Sequence, residues 1–302
     1  MVAALWQAEC RRILMLKPIG RILFPTDFSR RCQAVAPAVA EWARFHKAKV
    51  TLLHVLHVPI TAYGHFDTYS AMVDFTSLRK HAEDALAPLY QDVFKDVEVE
   101  RIVVRGQPDE EIIRYAHAHP VDLIMIPTHG SGKLRALLLG SVAASVLHDA
   151  ECPIWTDAHA ALPNLVPTTP TSILCAVDLK PKSLQLLKAA HWLAEDYRAE
   201  LNFIHILPPI EGTGEMWPPT EWSEARIEKA KADFLPLAKE AQVRTEIEVL
   251  EGHVGQILHD FAMRHHANLI VMGRGVIHEK FGRLRSHAHD IIRRSPCPVL
   301  SI

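Results

Sequence analysis

"RILFPTDFSR", residues 21–30, and "SILCAVDLKP", residues 172–181, are two versions of one pattern in a chain of 302 residues. In both stretches a run of mostly apolar residues ends at an aspartate, Asp27 in the first and Asp178 in the second. A short apolar run bounded by polar residues is typical of a buried strand that leads into a turn. Because the shift between the two stretches is as long as a whole domain, the pattern predicts that one module occurs twice.

The agreement between the two halves continues along the chain in the same order. "TLLHVL" at 51–56 corresponds to "NFIHIL" at 202–207, "VVRGQPDEEIIRYA" at 103–116 to "VLEGHVGQILHDFA" at 249–262, and "VDLIMIP" at 121–127 to "ANLIVMG" at 267–273. Between the copies, residues 157–172 are rich in Pro, Ala and Thr, which is typical of a linker. We therefore predict an N-terminal extension at 1–19, a first domain at 20–157, a linker at 158–170 and a second domain at 171–302.

Short apolar runs alternate with longer segments of helical period in each half. In the first half we expect strands at 21–25, 49–56, 97–104, 122–126 and 153–156, and helices at 30–46, 70–92, 109–118 and 138–149. Strands that are nearly continuous Val, Ile and Leu are typical of a parallel sheet covered on both faces. The alternation predicts an α/β fold in which ligands bind beyond the carboxyl ends of the strands.

The composition indicates a soluble globular protein. Hydrophobic residues make up 49% of the chain, charged residues 23%, and the formal net charge is -2. This balance shows no bias toward nucleic acid, and no apolar run reaches the roughly 18 residues of a membrane span. The order of charges in the first twenty residues does not fit a secretory signal, and the five cysteines include no C-x-x-C pair. We expect a cytoplasmic protein without a nucleic-acid or membrane partner.

The stretch "PTHGSGKLRALLLGSVAASVL", residues 127–147, joins a predicted strand to a predicted helix through several glycines. Glycines let a backbone approach phosphates closely, and the N–H groups at a helix N-terminus stabilise an anion. Gly140 and Ser141 have the right position for such a site. The "GSGK" at 130–133 is not a P-loop, because that motif needs Ser or Thr after the lysine and here Leu134 follows.

Both halves resemble the universal stress protein family. In the first half the resemblance is carried by "ILFPTDFS", "LLHV", "GQPDEEII", "DLIMIPTHG", "LLLGSVAASVL" and "CPI", and in the second half by their counterparts. The resemblance implies two tandem Rossmann-like domains, each a five-stranded parallel sheet with helices on both faces, together with dimeric association and a regulatory role in stress response. ATP-binding members carry G-x-x-G, nine residues and then G-[ST] at the phosphates, with an aspartate after the first strand near the adenine.

Each half departs from that pattern at a different place. In the first half Pro127 replaces the first glycine, while Gly130, Gly140 and Ser141 remain. In the second half Gly273 and Gly275 are one residue closer together than in the pattern, and "RS" at 285–286 replaces G-[ST]. The resemblance therefore implies binding of ATP or another adenine nucleotide mainly in the first half, with Mg²⁺ as a candidate companion ion.

The candidate nucleotide-binding residues follow from this comparison. In the first half they are Pro25, Thr26, Asp27, Val55, Ile126, His129, Gly130, Gly140, Ser141 and Val142. The weaker candidates of the second half are Asp178, Gly273, Gly275, Arg285 and Ser286. No catalytic or metal-binding residue is predicted, so at most slow ATP hydrolysis is expected.

Other interpretations of the same residues stay open. Asp27 and Asp178 fit a ligand contact, a helix cap or a turn aspartate, and His54 and His205 are predicted to be core histidines bonded to backbone. The whole chain also fits a non-nucleotide interaction or dimerisation protein whose loops are degenerate in both halves. An enzyme of the wider nucleotide α-hydrolase-like group lacks a supporting motif. We expect an intramolecular pseudo-dimer, a candidate homodimer and an unidentified regulatory protein partner.

Overall fold

The computed structural model describes residues 19–57, 74–129, 139–157, 169–209, 220–274 and 287–302. The strands of the described part are β1 Arg21–Pro25, β2 Lys49–Leu56, β3 Val99–Arg105, β4 Leu123–Ile126, β5 Ile154–Thr156, β6 Ser172–Ala176, β7 Glu200–Leu207, β8 Ile247–Glu251, β9 Leu269–Met272 and β10 Val299–Ser301. The helices are α1 Arg30–His46, α2 Phe75–Leu86, α3 Pro108–Ala118, α4 Ser141–Asp149, α5 Ser183–Tyr197, α6 Thr220–Glu240, α7 Val254–Arg264 and α8 His287–Arg294. The predicted N-terminal extension and linker lie almost wholly outside these ranges.

The described strands form one sheet in the order β3-β2-β1-β4-β5-β10-β9-β6-β7-β8. Within each half the five strands are parallel, and both halves have the same strand order. The halves meet where β5 pairs antiparallel with β10, with Trp155 opposite Leu300 at the centre of the pairing. The prediction of two Rossmann-like five-stranded domains is confirmed. The structure adds that their sheets are continuous within the chain.

Helices cover both faces of this sheet and enclose two apolar cores. Side chains of α1, α2, α5 and α6 pack on one face, and those of α3, α4, α7 and α8 pack on the other. Alternate residues of a strand face opposite cores, as Ile22 and Leu23 of β1 show. Each core contains residues of both halves, so the two domains share their buried apolar surface on both faces of the sheet.

The duplication extends to backbone conformation. Phe28 and Leu179 both adopt positive φ, at 60° and 55°, in the turn after the first strand of each half. Lys47 and Arg198 do the same at 54° and 53° where α1 and α5 end. Positive φ is uncommon for residues other than glycine, so four such residues at matching positions reflect one inherited chain path.

The predicted helix at 70–92 is shorter in the structure. Its first residues lie outside the described ranges, and from Phe75 the helix ends at Leu86. Pro88 follows, which has no N–H for a helical hydrogen bond, and Tyr90 reverses the chain with φ at 57°. The residues after Leu86 therefore form turns that lead into β3.

An aromatic cluster joins α1 of the first half to α5 of the second. The rings of Phe45 and Tyr197 stack at 4.1 Å, and the ring of Trp42 lies 5.5 Å from that of Tyr197. His46 Nε2 lies 3.0 Å from the Tyr197 hydroxyl, and its Nδ1 lies 3.6 Å from a carboxylate oxygen of Asp196. The His46 side chain is only 3% exposed, so this imidazole is part of the contact between the halves.

His46 should make the stability of this contact between the halves depend on pH. Burial lowers the pKa of His46 below its usual 6.5, against the opposing pull of Asp196. As the pH falls, the unfolded chain therefore binds a proton at this histidine before the folded chain does. The stabilisation that the neutral, buried imidazole gives is complete above pH 6.5 and is lost as the pH falls toward the folded pKa. We expect His46→Gln to reduce the loss of unfolding free energy between pH 7 and pH 5, measured by urea denaturation.

The control for this measurement is His117→Gln, at an exposed histidine of α3. This variant should keep the wild-type pH dependence. Equal slopes for wild type and His46→Gln would contradict the assignment.

Candidate functional site

The candidate site lies at the carboxyl edge of the first half-sheet. Pro25 ends β1, and the N–H of Thr26 donates to Leu53 O of β2 at 2.9 Å, which extends the pairing by one residue. Pro25 and Thr26 are buried, and Asp27 is the first exposed residue after the strand. Parallel strands bring their carboxyl ends to the same edge, so Asp27 lies where a ligand of such a sheet binds.

Asp27 shapes the turn that follows β1. Its Oδ1 accepts a hydrogen bond from the Ser29 N–H at 3.0 Å and from the Cys32 thiol at 3.2 Å. Burial, and next the charge of Asp27, raise the pKa of Cys32 to about 12. Asp27 is therefore a turn aspartate, whereas the N-cap of α1 is Ser29, whose hydroxyl accepts from the Cys32 N–H. A ligand contact of Asp27 stays a prediction.

Asp178 repeats this arrangement in the second half. Its Oδ1 accepts from the Lys180 N–H at 3.2 Å and from the Ser183 hydroxyl at 2.8 Å. Ser183 thus takes the place of Cys32, five residues after the aspartate in both halves. The geometry of the turn is preserved although the donor has changed.

The histidines of β2 and β7 contact the backbone of the same two turns. His54 Nδ1 lies 2.9 Å from Thr26 O, and His205 Nδ1 lies 2.7 Å from Val177 O. The predicted contacts with backbone are thus present, but both histidines are half-buried and not core residues as expected. The ring of Phe28 lies 4.5 Å from that of His54. The predicted ligand residues Val55 and Ile126 are buried apolar side chains near the ends of β2 and β4.

Helix α4 begins at the same edge. The N–H of Gly140 donates to Thr128 O at 2.8 Å, and Gly140 is the N-cap residue, without a side-chain cap bond. A Cβ at Gly140 would lie 3.2 Å from Thr128 O, so glycine permits this close approach. Ser141 is exposed and Val142 is half-buried. Because the first N–H groups of a helix have no partner within it, this first turn is suited to bind an anion.

A buried polar network fixes Thr128. Asp157 Oδ1 accepts from the Thr128 N–H at 2.6 Å and from its hydroxyl at 2.8 Å, and Asp157 Oδ2 lies 3.1 Å from Arg31 Nε. Thr128 is fully buried and Asp157 is 2% exposed. The predicted residue His129 is half-buried, and its Nδ1 lies 3.2 Å from the Thr128 hydroxyl. The network joins the ends of β4 and β5 to the first turn of α1.

Sequence reasoning missed Arg31 and Asp157. Asp157 directly follows the last strand of the first half, and a charged residue at that edge is the signal that was available. The predicted residues Gly130, Gly275, Arg285 and Ser286 lie outside the described ranges. Gly273 follows β9 and is exposed, while Pro127, which replaces a family glycine, is buried between β4 and Thr128.

Histidine and cysteine side chains have structural contacts in the described part of the chain. His119 stacks on Tyr115 at 3.9 Å, and His265 stacks on Phe261 at 4.1 Å at the matching position. Within the described ranges no three His, Cys, Asp or Glu side chains are grouped to hold a metal ion. The described cysteines, at positions 32, 152, 175 and 297, are free.

None of the helices in the described ranges has both the length and the apolar character required to cross a membrane.

Comparison with known proteins agrees with the repeat and the fold. The model of the Universal stress protein family matches the chain twice, over residues 18–156 and 170–302. The chain belongs to the universal stress protein family. It carries two domains of this family in tandem, and together the matches cover nearly all of the chain.

Individual relatives match either one half or the whole chain. A universal stress protein of Methanocaldococcus jannaschii is 29% identical over 150 residues, which is 44% of this chain and 91% of that protein. The solved structure of a universal stress protein from Archaeoglobus fulgidus covers 93% of this chain and 95% of its own, with a TM-score of 0.64 and 22% identity. One from Pseudomonas aeruginosa covers 94% and 93%, with a TM-score of 0.63 and 19% identity. At these identities the two structures support the fold.

The network around Asp157 should contribute to stability. Asp157→Ala leaves the N–H and hydroxyl of Thr128 buried without their acceptor, so we expect the free energy of unfolding to fall by about 2–3 kcal/mol. Thr128→Val removes the hydroxyl alone and should cost about 1 kcal/mol. Urea denaturation measures both values.

Asp92→Ala, at an exposed position in the turns after α2, is the control and should change stability by less than about 0.5 kcal/mol. A value for Asp157→Ala as small as that of the control would show that the network contributes nothing to folding.

Proposed function

We propose that this universal stress protein is a cytoplasmic regulatory module that binds ATP or another adenine nucleotide in its first half. The observation that carries the proposal is the Gly140–Thr128 hydrogen bond. It sets the first turn of α4 at the end of β4, and β4 is the direct neighbour of β1, which leads to Asp27. The helix start that would bind the phosphates and the carboxylate that would bind the nucleoside thus follow two adjacent strands, β4 and β1.

The proposed roles follow the chemistry of each residue. Asp27 would accept hydrogen bonds from the adenine or ribose, beside Pro25 and Thr26, and Val55 and Ile126 would supply apolar contacts. His129, Gly130, Gly140, Ser141 and Val142 would hold the phosphates, with Mg²⁺ bound through the phosphate oxygens. The absence of a side chain at Gly140 fits this role, because it permits the close approach to Thr128 O that sets the first turn of α4.

The second half is the weaker candidate for a nucleotide site. Asp178 repeats the geometry of Asp27, and Gly273 corresponds to the first glycine of the family pattern. The remaining candidates, Gly275, Arg285 and Ser286, depart from that pattern in spacing or residue type. We propose that this half binds nucleotide weakly compared with the first.

The proposed activity is binding, with at most slow hydrolysis. Cys32 lies at the edge of the site, but a thiol with a pKa near 12 is protonated at neutral pH and is a poor nucleophile.

Pairing of β5 with β10 already joins the two halves within one chain. A homodimer of the whole chain and a regulatory protein partner remain part of the proposal.

The two aspartates provide a matched test. Each side chain accepts a hydrogen bond from a backbone N–H two residues on and from a side chain five residues on, so Asp178→Asn is a close control for Asp27→Asn. We expect Asp27→Asn to raise the Kd for ATP about tenfold or more, which corresponds to the loss of about 1.4 kcal/mol. Asp178→Asn should leave it within about twofold of wild type.

Calorimetric titration of ATP, with and without Mg²⁺, measures these constants. Equal effects of the two variants would remove the preference for the first half. A wild-type chain that releases no heat and gains no thermal stability at millimolar ATP would remove the nucleotide proposal.

A non-nucleotide interaction protein is the second candidate, and Pro127 is the observation that favours it. The buried proline has no N–H to donate where ATP-binding members have glycine. On this alternative the wild-type chain binds no ATP, and Pro127→Gly creates binding that calorimetry detects. If the wild-type chain binds ATP and Pro127→Gly leaves its affinity unchanged, the alternative fails.

A further inference from the structure

Arg274 is a residue of the second half whose side chain contacts the first. It directly follows Gly273 after β9, at the position that corresponds to Thr128 in the repeat. Its backbone N–H donates to Ile302 O at 3.0 Å, so its main chain stays within its own half. The corresponding N–H in the first half, that of Thr128, donates instead to the Asp157 side chain.

The guanidinium of Arg274 binds the carboxyl end of α4. It donates to Ala150 O, to Cys152 O at 3.1 Å and to Leu147 O at 3.5 Å. Burial lowers the pKa of Arg274 from its usual value, and a guanidinium remains charged at any pH at which proteins fold. A cation at this end of a helix is stabilised by the helix dipole and by the last carbonyl groups, which have no partner within the helix.

Helix α4 is therefore held at both ends by contacts of different origin. At its start, Gly140 is bonded to Thr128 of the first half. At its end, Arg274 of the second half donates to Leu147 O in the helix, to Ala150 O at its C-cap and to Cys152 O in the segment that follows. In the matching helix α8, the last carbonyl, Arg294 O, lies 2.8 Å from Nδ1 of His259 in the same half. The end of α8 is thus contacted from its own half, whereas the end of α4 is contacted from the other half.

We propose that Arg274 is a positioning residue for the phosphate end of the first-half nucleotide site. This inference rests on the proposed function of that site. Helix α4 has only nine residues, so we expect loss of the Arg274 contacts at its end to shift the N–H groups of its first turn. Binding groups must be held closely to their productive geometry, and a small displacement lowers affinity for the groups they contact.

Arg274 should influence the binding of the phosphates and leave the binding of the nucleoside nearly unchanged. Asp27 and Val55 belong to other elements and should keep their positions when Arg274 is changed. Loss of the Arg274 side chain should therefore weaken the binding of ATP much more than the binding of adenosine. A general loss of structure would weaken both ligands alike.

The experiment uses the full chain and compares Arg274→Met with Arg264→Met. Arg264 is exposed on α7 of the same half, so both variants lose one positive charge. Calorimetric titration with ATP and with adenosine gives the affinities, and amide hydrogen exchange of residues 141–149 reports on α4 without any ligand. For Arg274→Met we expect the Kd for ATP to rise at least about fivefold, with the Kd for adenosine within twofold and faster exchange in α4.

Arg274→Lys keeps a charged donor but loses the planar fork, so it should restore part of the ATP affinity. This variant also decides the question if Arg274→Met does not fold. A folded Arg274→Met with wild-type affinity for ATP, or with equal losses for ATP and adenosine, would overturn the inference. If Arg274→Met does not fold, wild-type affinity of Arg274→Lys would overturn it. Either result would leave the proposed function intact. A wild-type chain that binds no ATP would instead overturn the proposed function and this inference with it.

Discussion

Two strands of three residues each, β5 and β10, carry the backbone pairing that joins the two halves into one sheet. Without that pairing each half would end in an open strand edge, with unpaired N–H and C=O groups. Trp155 and Leu300 face each other in the pairing and are buried in the same core. Because both apolar cores continue across this junction, separating the halves would expose hydrophobic side chains on both faces of the sheet.

The shared sheet imposes an approximate symmetry on the backbone, and the side chains depart from it. Asp27 and Asp178 form equivalent turns although the second donor is a thiol in one half and a hydroxyl in the other. The position after the fourth strand differs more. Thr128 is buried on Asp157 within its own half, whereas Arg274 extends into the other half. On the proposed function, this divergence of side chains on a duplicated backbone would let one half bind the ligand and the other support it.

The candidate site was only partly predictable from sequence. Asp27 and Gly140 could be identified because each stands at the end of a predicted strand or the start of a predicted helix, where an α/β fold places its ligands. Arg31 and Asp157 belong to the same edge, but their contact joins residues far apart in the chain. The helix expected at 70–92 was too long, because the periodic pattern continues past Pro88 while the backbone turns there.

The order of strands and helices, the duplication and the family are properties of the sequence alone. They depend on apolar periodicity and on short motifs, which act between neighbouring residues and are readable wherever they occur. The pairing of β5 with β10, the aromatic contact of His46 with Tyr197 and the binding of α4 by Arg274 were decided only by the tertiary structure. Each joins residues more than one hundred positions apart, and no local pattern specifies which distant group a strand edge or a long side chain will meet.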